Sequence, residues 1–292
     1  MIIVTIPAYN EGKTIGKVIE NIKEVMQKYR KKYKILVVDD GSQDNTAQIA
    51  RKAGAVAYSH AKNYGLAETF KTEIQKSLEL EADVIVHIDA DGQYLPKEIP
   101  KLLIEIDNGY DFVLGSRFKG KIEHMPIVKK LGNIAFSKVI SQITNFNISD
   151  AQTGFRAFTK KVAREIDIRS NHTYTQEQII RGIKQKFRLK EVPVYFAKRK
   201  GKSKLIRNPF EYALKAWINI IRVYRDFEPL RFFGIVGTLI FSVGFLIGLY
   251  LVYLHFTTGI VGHFALMMLD ILILSIGLQI IIFGFIADMN RK

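Results

Sequence analysis

Apolar and polar positions follow two rhythms along the first two-thirds of the chain and a third rhythm near its end. Short apolar runs at residues 2–6, 35–39, 56–58, 84–88 and 112–114 have the length of buried strands. Between them, residues 14–29, 46–53, 67–80 and 97–108 carry apolar side chains at intervals of three and four, the period of a helix with one buried face. Strands alternating with helices predict an α/β domain with a mostly parallel sheet covered on both faces. Ligands of such sheets bind beyond the carboxyl ends of the strands. The first run, MIIVTIP, has no basic leader and ends at Pro7, so it reads as a first strand and not as a signal peptide.

The third rhythm is unbroken apolarity. Residues 232–254 carry no charge, and as a helix they would span roughly 34 Å, enough for a bilayer core. Residues 264–287 form a second such stretch, interrupted only by Asp270. A two-helix transmembrane hairpin is predicted. Arg222, Arg225 and Arg231 precede it, Arg291 and Lys292 follow it, and the loop 255–263 has neither Lys nor Arg. The positive-inside rule then puts both termini and the large domain in the cytosol, on an integral protein of the cell membrane. Asp270 reads as an acid that snorkels or hydrogen-bonds near the far interface. Ahead of the hairpin, Phe210, Leu214, Trp217, Ile218, Ile221 and Tyr224 fall at helical spacing, with Lys215, Arg222 and Arg225 off that stripe. This predicts an amphipathic helix on the bilayer surface, the competing reading being a helix packed on the domain. The expected division is a catalytic domain over residues 1–207, an interface helix over 208–230 and a hairpin over 231–292.

Charge narrows the partners. The 292 residues include 43 Lys and Arg against 28 Asp and Glu, a net +15, and nearly all of that excess lies ahead of residue 229. Anionic partners follow: nucleic acid, phosphorylated ligands or an acidic membrane face. No nucleic-acid motif is present, and a nucleic-acid binder would need no hairpin, so nucleic acid is not expected. With no cysteine, disulfides and thiolate metal sites are excluded. Neither GxxxxGK[ST] nor GxGxxG occurs, which removes the support for a P-loop enzyme or a dehydrogenase.

Three predicted strand ends carry polar clusters: PAYNEG at residues 7–12, Asp39 and Asp40 within VVDDGSQDNT, and Asp89, Asp91 and Gln93 within VIVHIDADGQY. Extended residues two apart point the same way, so Asp89 and Asp91 project together. Two such carboxylates repel unless a cation lies between them, and hard oxygen ligands suit Mg²⁺ or Mn²⁺. The competing reading is a solvated Asp-rich turn. Asp39 and Asp40 are open to the same two readings, turn residues or acceptors for a base and a ribose, while Asp44 suits a cap of the next helix.

These clusters, in this order and spacing, resemble the family-2 glycosyltransferases of the GT-A fold. Gly115–Ser116–Arg117, DAQTGFRAF at residues 150–158, YTQEQIIRG around Glu177 and KRKGKSKL at residues 198–205 look like the polyprenyl-phosphate sugar synthase branch, with the dolichol-phosphate mannose synthases as best-known members. The resemblance implies metal-dependent transfer of a hexose from a nucleotide sugar, GDP-mannose first and UDP-glucose or another UDP-sugar second, to dolichyl or polyprenyl phosphate, with inversion. It implies that Pro7, Tyr9, Glu11, Asp39 and Asp40, with Asp89, Ala90 and Asp91, hold the nucleotide. Asp89, Asp91 and Gln93 would form the metal centre, with Arg117 and Glu177 joining Asp89 and Asp91 in catalysis. Arg117, Lys130, Arg199, Lys202 and Lys204 would face the acceptor phosphate. Many relatives have an arginine where this chain has Leu131, and Lys129 or Lys130 would supply that charge.

Restraint applies to single residues. Glu177 is open to a sugar-orienting role or a structural salt bridge, and Arg156 to a buried structural pair. His87 reads as packed or hydrogen-bonded, while His124 and His172 carry no spacing signal. KRKGKSK suits a loop that closes over phosphates, a lipid-headgroup patch or a solvated turn. A processive polysaccharide synthase is disfavoured because the one tryptophan, Trp217, lies outside a QxxRW motif and only two spans are present. A catalytically silent membrane tether that binds nucleotide or lipid is the alternative from another class.

Overall fold

A computed structural model describes residues 1–169, 174–198, 209–259 and 264–290. It divides into two units, Met1–Leu214 and Lys215–Lys292, each taken here by itself.

The first unit is built on β1 (Ile2–Ala8), β2 (Tyr33–Asp39), β3 (Val56–Ser59), β4 (Val84–His87), β5 (Phe112–Ile122), β6 (Arg156–Thr159) and β7 (Leu189–Phe196). They form one sheet in the order β3-β2-β1-β4-β6-β5-β7. β2, β1 and β4 run parallel, as do β2 with β3 and β5 with β7, while β6 is antiparallel to both its neighbours. All seven residues of β1 are buried, as expected of a central strand covered on both faces. The chain adds β2 and β3 on one side of β1 and then returns to place β4 on the other. That reversal opens a crevice at the carboxyl ends of β1, β2 and β4.

The helices of this unit are α1 (Ile15–Tyr29), α2 (Thr46–Lys52), α3 (Leu66–Glu79), α4 (Ile99–Asp107), α5 (Ile127–Thr144), α6 (Lys160–Glu165) and α7 (Tyr174–Lys184). α1 shows why the helical rhythm was readable. Ile15, Val18, Ile19, Ile22 and Met26 are its buried face, and each such side chain contributes about 1.5–3 kcal/mol on leaving water. Arg30 then turns left-handed, with φ 58°, and ends the helix. The five expected strands and four expected helices are all present. β6, β7, α5 and α6 carried no expectation, and β5 runs to Ile122, well past residue 114. β6 is four residues long and begins with an arginine, and β7 contains Pro193, so neither has a clean strand pattern of its own. Pairing with neighbours distant in sequence makes them strands.

The second unit holds the end of α8 (Pro209–Phe227), then α9 (Pro229–Thr258) and α10 (Phe264–Met289). The two units part inside α8, after Leu214. Pro229 occupies the first turn of α9, where a missing N–H costs nothing. Leu214, Trp217, Ile218 and Ile221 of the α8 stripe are exposed. α9 and α10 are long and apolar enough to cross a membrane. They pack along a seam where a Cβ on Gly277 would lie 2.6 Å from the backbone N of Phe241, and one on Gly237 would lie 2.8 Å from the carbonyl of Gly277. Small residues permit this close approach of the two helix backbones.

Candidate active site

The crevice contains a cavity of about 480 Å³ lined by Pro7, Tyr9, Glu11, Asp40, Asp89, Ala90 and Asp91. Three clusters far apart in sequence meet there because β1, β2 and β4 end together. The first two are laced by short hydrogen bonds. Asn10, held at φ 54°, donates its N–H to Ser42 Oγ at 2.8 Å and accepts at Oδ1 from the N–H of Gln43 at 2.8 Å. The N–H of Glu11 donates to Thr46 Oγ1 at 2.9 Å. Asp44 Oδ1 accepts from the N–H of Thr46 at 3.0 Å, at the start of α2. Asp39 is buried and accepts from the N–H of Ser42 at 3.2 Å.

Asp40 lines the cavity and is also the hub of a set of hydrogen bonds. Its Oδ1 lies 2.8 Å from His60 Nδ1 and accepts from the N–H of Tyr64 at 2.9 Å, while Oδ2 accepts from the N–H of Gly65 at 2.8 Å. His60 Nε2 lies 2.9 Å from Thr72 Oγ1. The carboxylate therefore pins the chain after β3 to the start of α3. That pinned stretch supplies Asn63, Gly65, Leu66 and Thr69 to the cavity wall. None of these was foreseen. The one available signal was His60 directly after a strand, at the carboxyl edge where ligands bind.

β4 stops at His87, and the two acids follow. Asp91 Oδ1 accepts from the N–H of Gln93 at 3.0 Å. Gln93 is tied to the end of β7, with Nε2 donating to the carbonyl of Ala197 at 3.1 Å. Asp89 lies against Gly154, where a Cβ would come within 2.8 Å of Oδ2, so the chain needs glycine there. Burial and the charge of Asp91 push the Asp89 carboxyl up to about 6, against the opposing charges of His87 and Arg117. Asp91 also borders a second cavity of about 730 Å³, edged by Lys13, Lys17 and Lys198. Among the described residues no three His, Cys, Asp or Glu side chains converge to hold a metal by themselves.

The remaining expected site residues fall in other settings. Arg117 is 4% exposed and grips Asp150 through Nε and one Nη, both at 2.7 Å, a buried ion pair. Asp150, with no exposure at all, requires that partner. Glu177 pairs with Arg181 at 2.8 Å and accepts from the N–H of Arg169 at 3.1 Å. Arg156 is buried with Gln178 Oε1 at 2.8 Å and the carbonyl of Thr153 as acceptors. Lys130 and Leu131 are exposed on α5. Arg199, Lys202 and Lys204 lie outside the described residues, as does His172.

A switch-point crevice in a mostly parallel sheet, ending in paired acids, defines a transferase of the GT-A architecture. The chain belongs to the family described as Glycosyl transferase family 2, whose profile matches residues 3–167, and it is a glycosyltransferase. It is 33% identical over 217 residues to the UDP-N-acetylglucosamine–dolichyl-phosphate N-acetylglucosaminyltransferase of Methanococcus voltae, covering 66% of this chain and 84% of the relative. To the dolichyl-phosphate hexose transferase of Haloferax volcanii it is 32% identical over 229 residues, covering 78% and 95%. These relatives assign it to the branch whose named members use dolichyl phosphate. Among solved structures it resembles glucosyl-3-phosphoglycerate synthase from Mycobacterium tuberculosis with Mn²⁺, UDP and glucosyl-3-phosphoglycerate. The TM-score is 0.59 at 17% identity, over 75% of this chain and 79% of that one, a likeness of fold.

Proposed function

We propose that this protein transfers a hexose from a nucleotide sugar to dolichyl or polyprenyl phosphate, inverting the anomeric carbon. The observation that carries the proposal is the position of Asp91, which borders both the cavity of the three strand-end clusters and the lysine-edged cavity beside it. Two phosphorylated substrates would meet across that residue. In this reading Pro7, Tyr9, Glu11 and the wall pinned by Asp40 hold the nucleotide. Lys13, Lys17 and Lys198 attract the acceptor phosphate, and from Lys198 the chain continues into Arg199, Lys202 and Lys204.

The donor set fits a hard divalent cation, Mg²⁺ or Mn²⁺. Burial, and after it the charge of Asp91, raises the Asp89 carboxyl, and a cation between the two acids offsets that cost. The Gln93 amide nitrogen is held by Ala197, so its oxygen is the end that would meet a cation. Once bound, the cation would neutralise charge on the leaving diphosphate. The chain's own residues would bind and orient. A lipid monophosphate has a second pKa of about 6, by analogy with phosphoserine, and is mostly a dianion at neutral pH. It needs no strong general base. What it needs is to be held beside another anion, the task for which the basic first 228 residues are suited. Attack from the face opposite the diphosphate gives inversion.

α9 and α10 would span the bilayer, with α8 on its surface and both termini cytosolic by the placement of basic residues. GDP-mannose is the donor implied by the synthase-like motifs. A UDP-sugar is the second reading, favoured by the name of the Methanococcus voltae relative. The test is a donor panel: purified protein in detergent, polyprenyl phosphate, Mg²⁺ or Mn²⁺, and labelled GDP-mannose, UDP-glucose or UDP-N-acetylglucosamine in turn. Label entering the organic phase with one donor is the expected result. Nucleotide binding without transfer from any donor would favour a silent tether.

A further inference from the structure

Behind the acids at the end of β4 lies a polar pair that the reaction as described does not use. His87, the last residue of β4, has no exposed surface, and neither has Glu73 of α3. Glu73 Oε2 lies 2.7 Å from His87 Nδ1. Thr5 Oγ1, across the β1–β4 ladder, lies 3.5 Å from the same nitrogen. The opposite edge of the ring, Nε2, faces two groups: the Tyr174 hydroxyl at 3.4 Å and Asp89 Oδ1 at 4.0 Å. Phe70 holds the ring edge-on, centroid to centroid at 5.1 Å.

Packing alone does not account for this pair. A carboxylate taken wholly out of water costs several kcal/mol unless its oxygens are satisfied, and apolar residues of similar volume are often as stable or more so. Here Glu73 Oε1 has no hydrogen-bond partner among the described residues. The arrangement has a directional consequence instead. By engaging Nδ1, Glu73 fixes which edge of the imidazole is turned toward Asp89. The Phe70 contact and the strand position of His87 leave the ring little freedom to turn. Asp89 sits between this edge and Gly154, where a Cβ would collide with its carboxylate. Both contacts bear on the carboxylate, His87 through Oδ1 and Gly154 through Oδ2. An approach of about 1 Å would turn the His87–Asp89 contact into a hydrogen bond of ordinary length.

We infer that Glu73 and His87 are positioning residues that aim the Asp89 carboxylate at the cation and diphosphate. The inference rests on the reading of Asp89 and Asp91 as the cation site. Outer partners of this kind typically change metal affinity 10- to 100-fold when removed, because a ligand that must be reoriented on binding binds less tightly.

The test is Mn²⁺ binding to the purified full-length protein in detergent, followed by the electron paramagnetic resonance of free Mn²⁺, with UDP and then GDP present. Glu73→Gln, His87→Gln and Asp89→Asn are compared with the parent, and each is checked by thermal unfolding. The expected result is a loss of roughly 10- to 100-fold in Mn²⁺ affinity for Glu73→Gln and His87→Gln, with unfolding temperatures close to the parent's. A larger loss is expected for Asp89→Asn. If Asp89→Asn weakens Mn²⁺ binding while both other variants bind as the parent does, the positioning role is overturned and the pair is structural. If Asp89→Asn itself binds Mn²⁺ normally, the cation-site reading has failed and this inference falls with it. Glu73→Gln is nearly isosteric and keeps an acceptor oxygen toward Nδ1, so it carries the test if His87→Gln does not fold.

Discussion

Asp40 and His60 meet at 2.8 Å, Oδ1 to Nδ1, just beyond the ends of the parallel strands β2 and β3. The contact converts two neighbouring strand ends into one wall of the cavity in which the proposed function places the nucleotide. Asp40→Asn keeps the size but loses the charge that holds His60 and the N–H groups of Tyr64 and Gly65. The expected loss is about 1–3 kcal/mol of stability for the buried hydrogen bonds, read by thermal unfolding. Nucleotide affinity, read by calorimetry, should fall as well, since Asn63 and Gly65 lose their anchor. Unchanged nucleotide affinity in a destabilised variant would show that the wall does not bear on binding.

Arg117 makes a sharp case because its position in the motif and its setting point in different directions. Replacing it with methionine should cost about 3–5 kcal/mol, since Asp150 would be left as a buried unpaired charge. Asp150→Asn should be similarly harmful. A charge-removing double variant, Arg117→Met with Asp150→Leu, should recover much of the stability. If Arg117→Met leaves the unfolding temperature alone and abolishes transfer, the guanidinium acts on a phosphate after all.

The raised Asp89 carboxyl sets a pH dependence whose sign can be worked out. Its pKa of about 6 in the fold lies above the ordinary carboxylate value, so the native state holds this proton more tightly than the unfolded chain. In the absence of metal, this group's contribution to stability is present at low pH and is lost as pH rises through about 6. Cation binding requires the deprotonated form, so Mn²⁺ affinity should fall below pH 6 and level off above it. Thermal unfolding with EDTA and with Mn²⁺, from pH 4.5 to 7.5, should show curves that diverge as pH rises. Parallel curves would remove Asp89 from the cation site.

The hairpin makes its own prediction. Gly277→Leu would drive a side chain into the backbone of Phe241, and overpacking typically costs 1–3 kcal/mol. Crosslinking between cysteines introduced into α9 and α10 should lose efficiency, while nucleotide binding by the first unit stays as before. Equal crosslinking yield would mean the helices do not rely on this seam.

Much of this molecule was readable from local pattern. Short apolar runs located the first five strands, and apolar positions three and four apart located four helices, since each element buries residues that its own stretch supplies. The hairpin was readable because few soluble helices lack charge for so long. The spacing of Asp89 and Asp91 marked them in the sequence, but β4 ends at His87 and Asp91 lies in the turn that follows, so the turn and not the strand pleat sets how the two acids stand. β6 and β7 were not legible, as short polar or proline-containing segments become strands only when a neighbour offers its ladder.

The same division runs through the site. The sequence marked Pro7, Tyr9, Glu11, Asp39, Asp40, Asp89, Ala90 and Asp91 as a set, and all but Asp39 line one cavity. Which partner each buried charge takes was decided by folding. Arg117 found Asp150, Asp40 found His60, Glu177 found Arg181, and Glu73 found His87. All but Glu177–Arg181 join residues from different elements, so no local period can announce them. A buried charge takes whichever opposite charge or dipole the packed chain brings within hydrogen-bonding reach, because the cost of leaving it unpaired exceeds almost any other single preference in the fold.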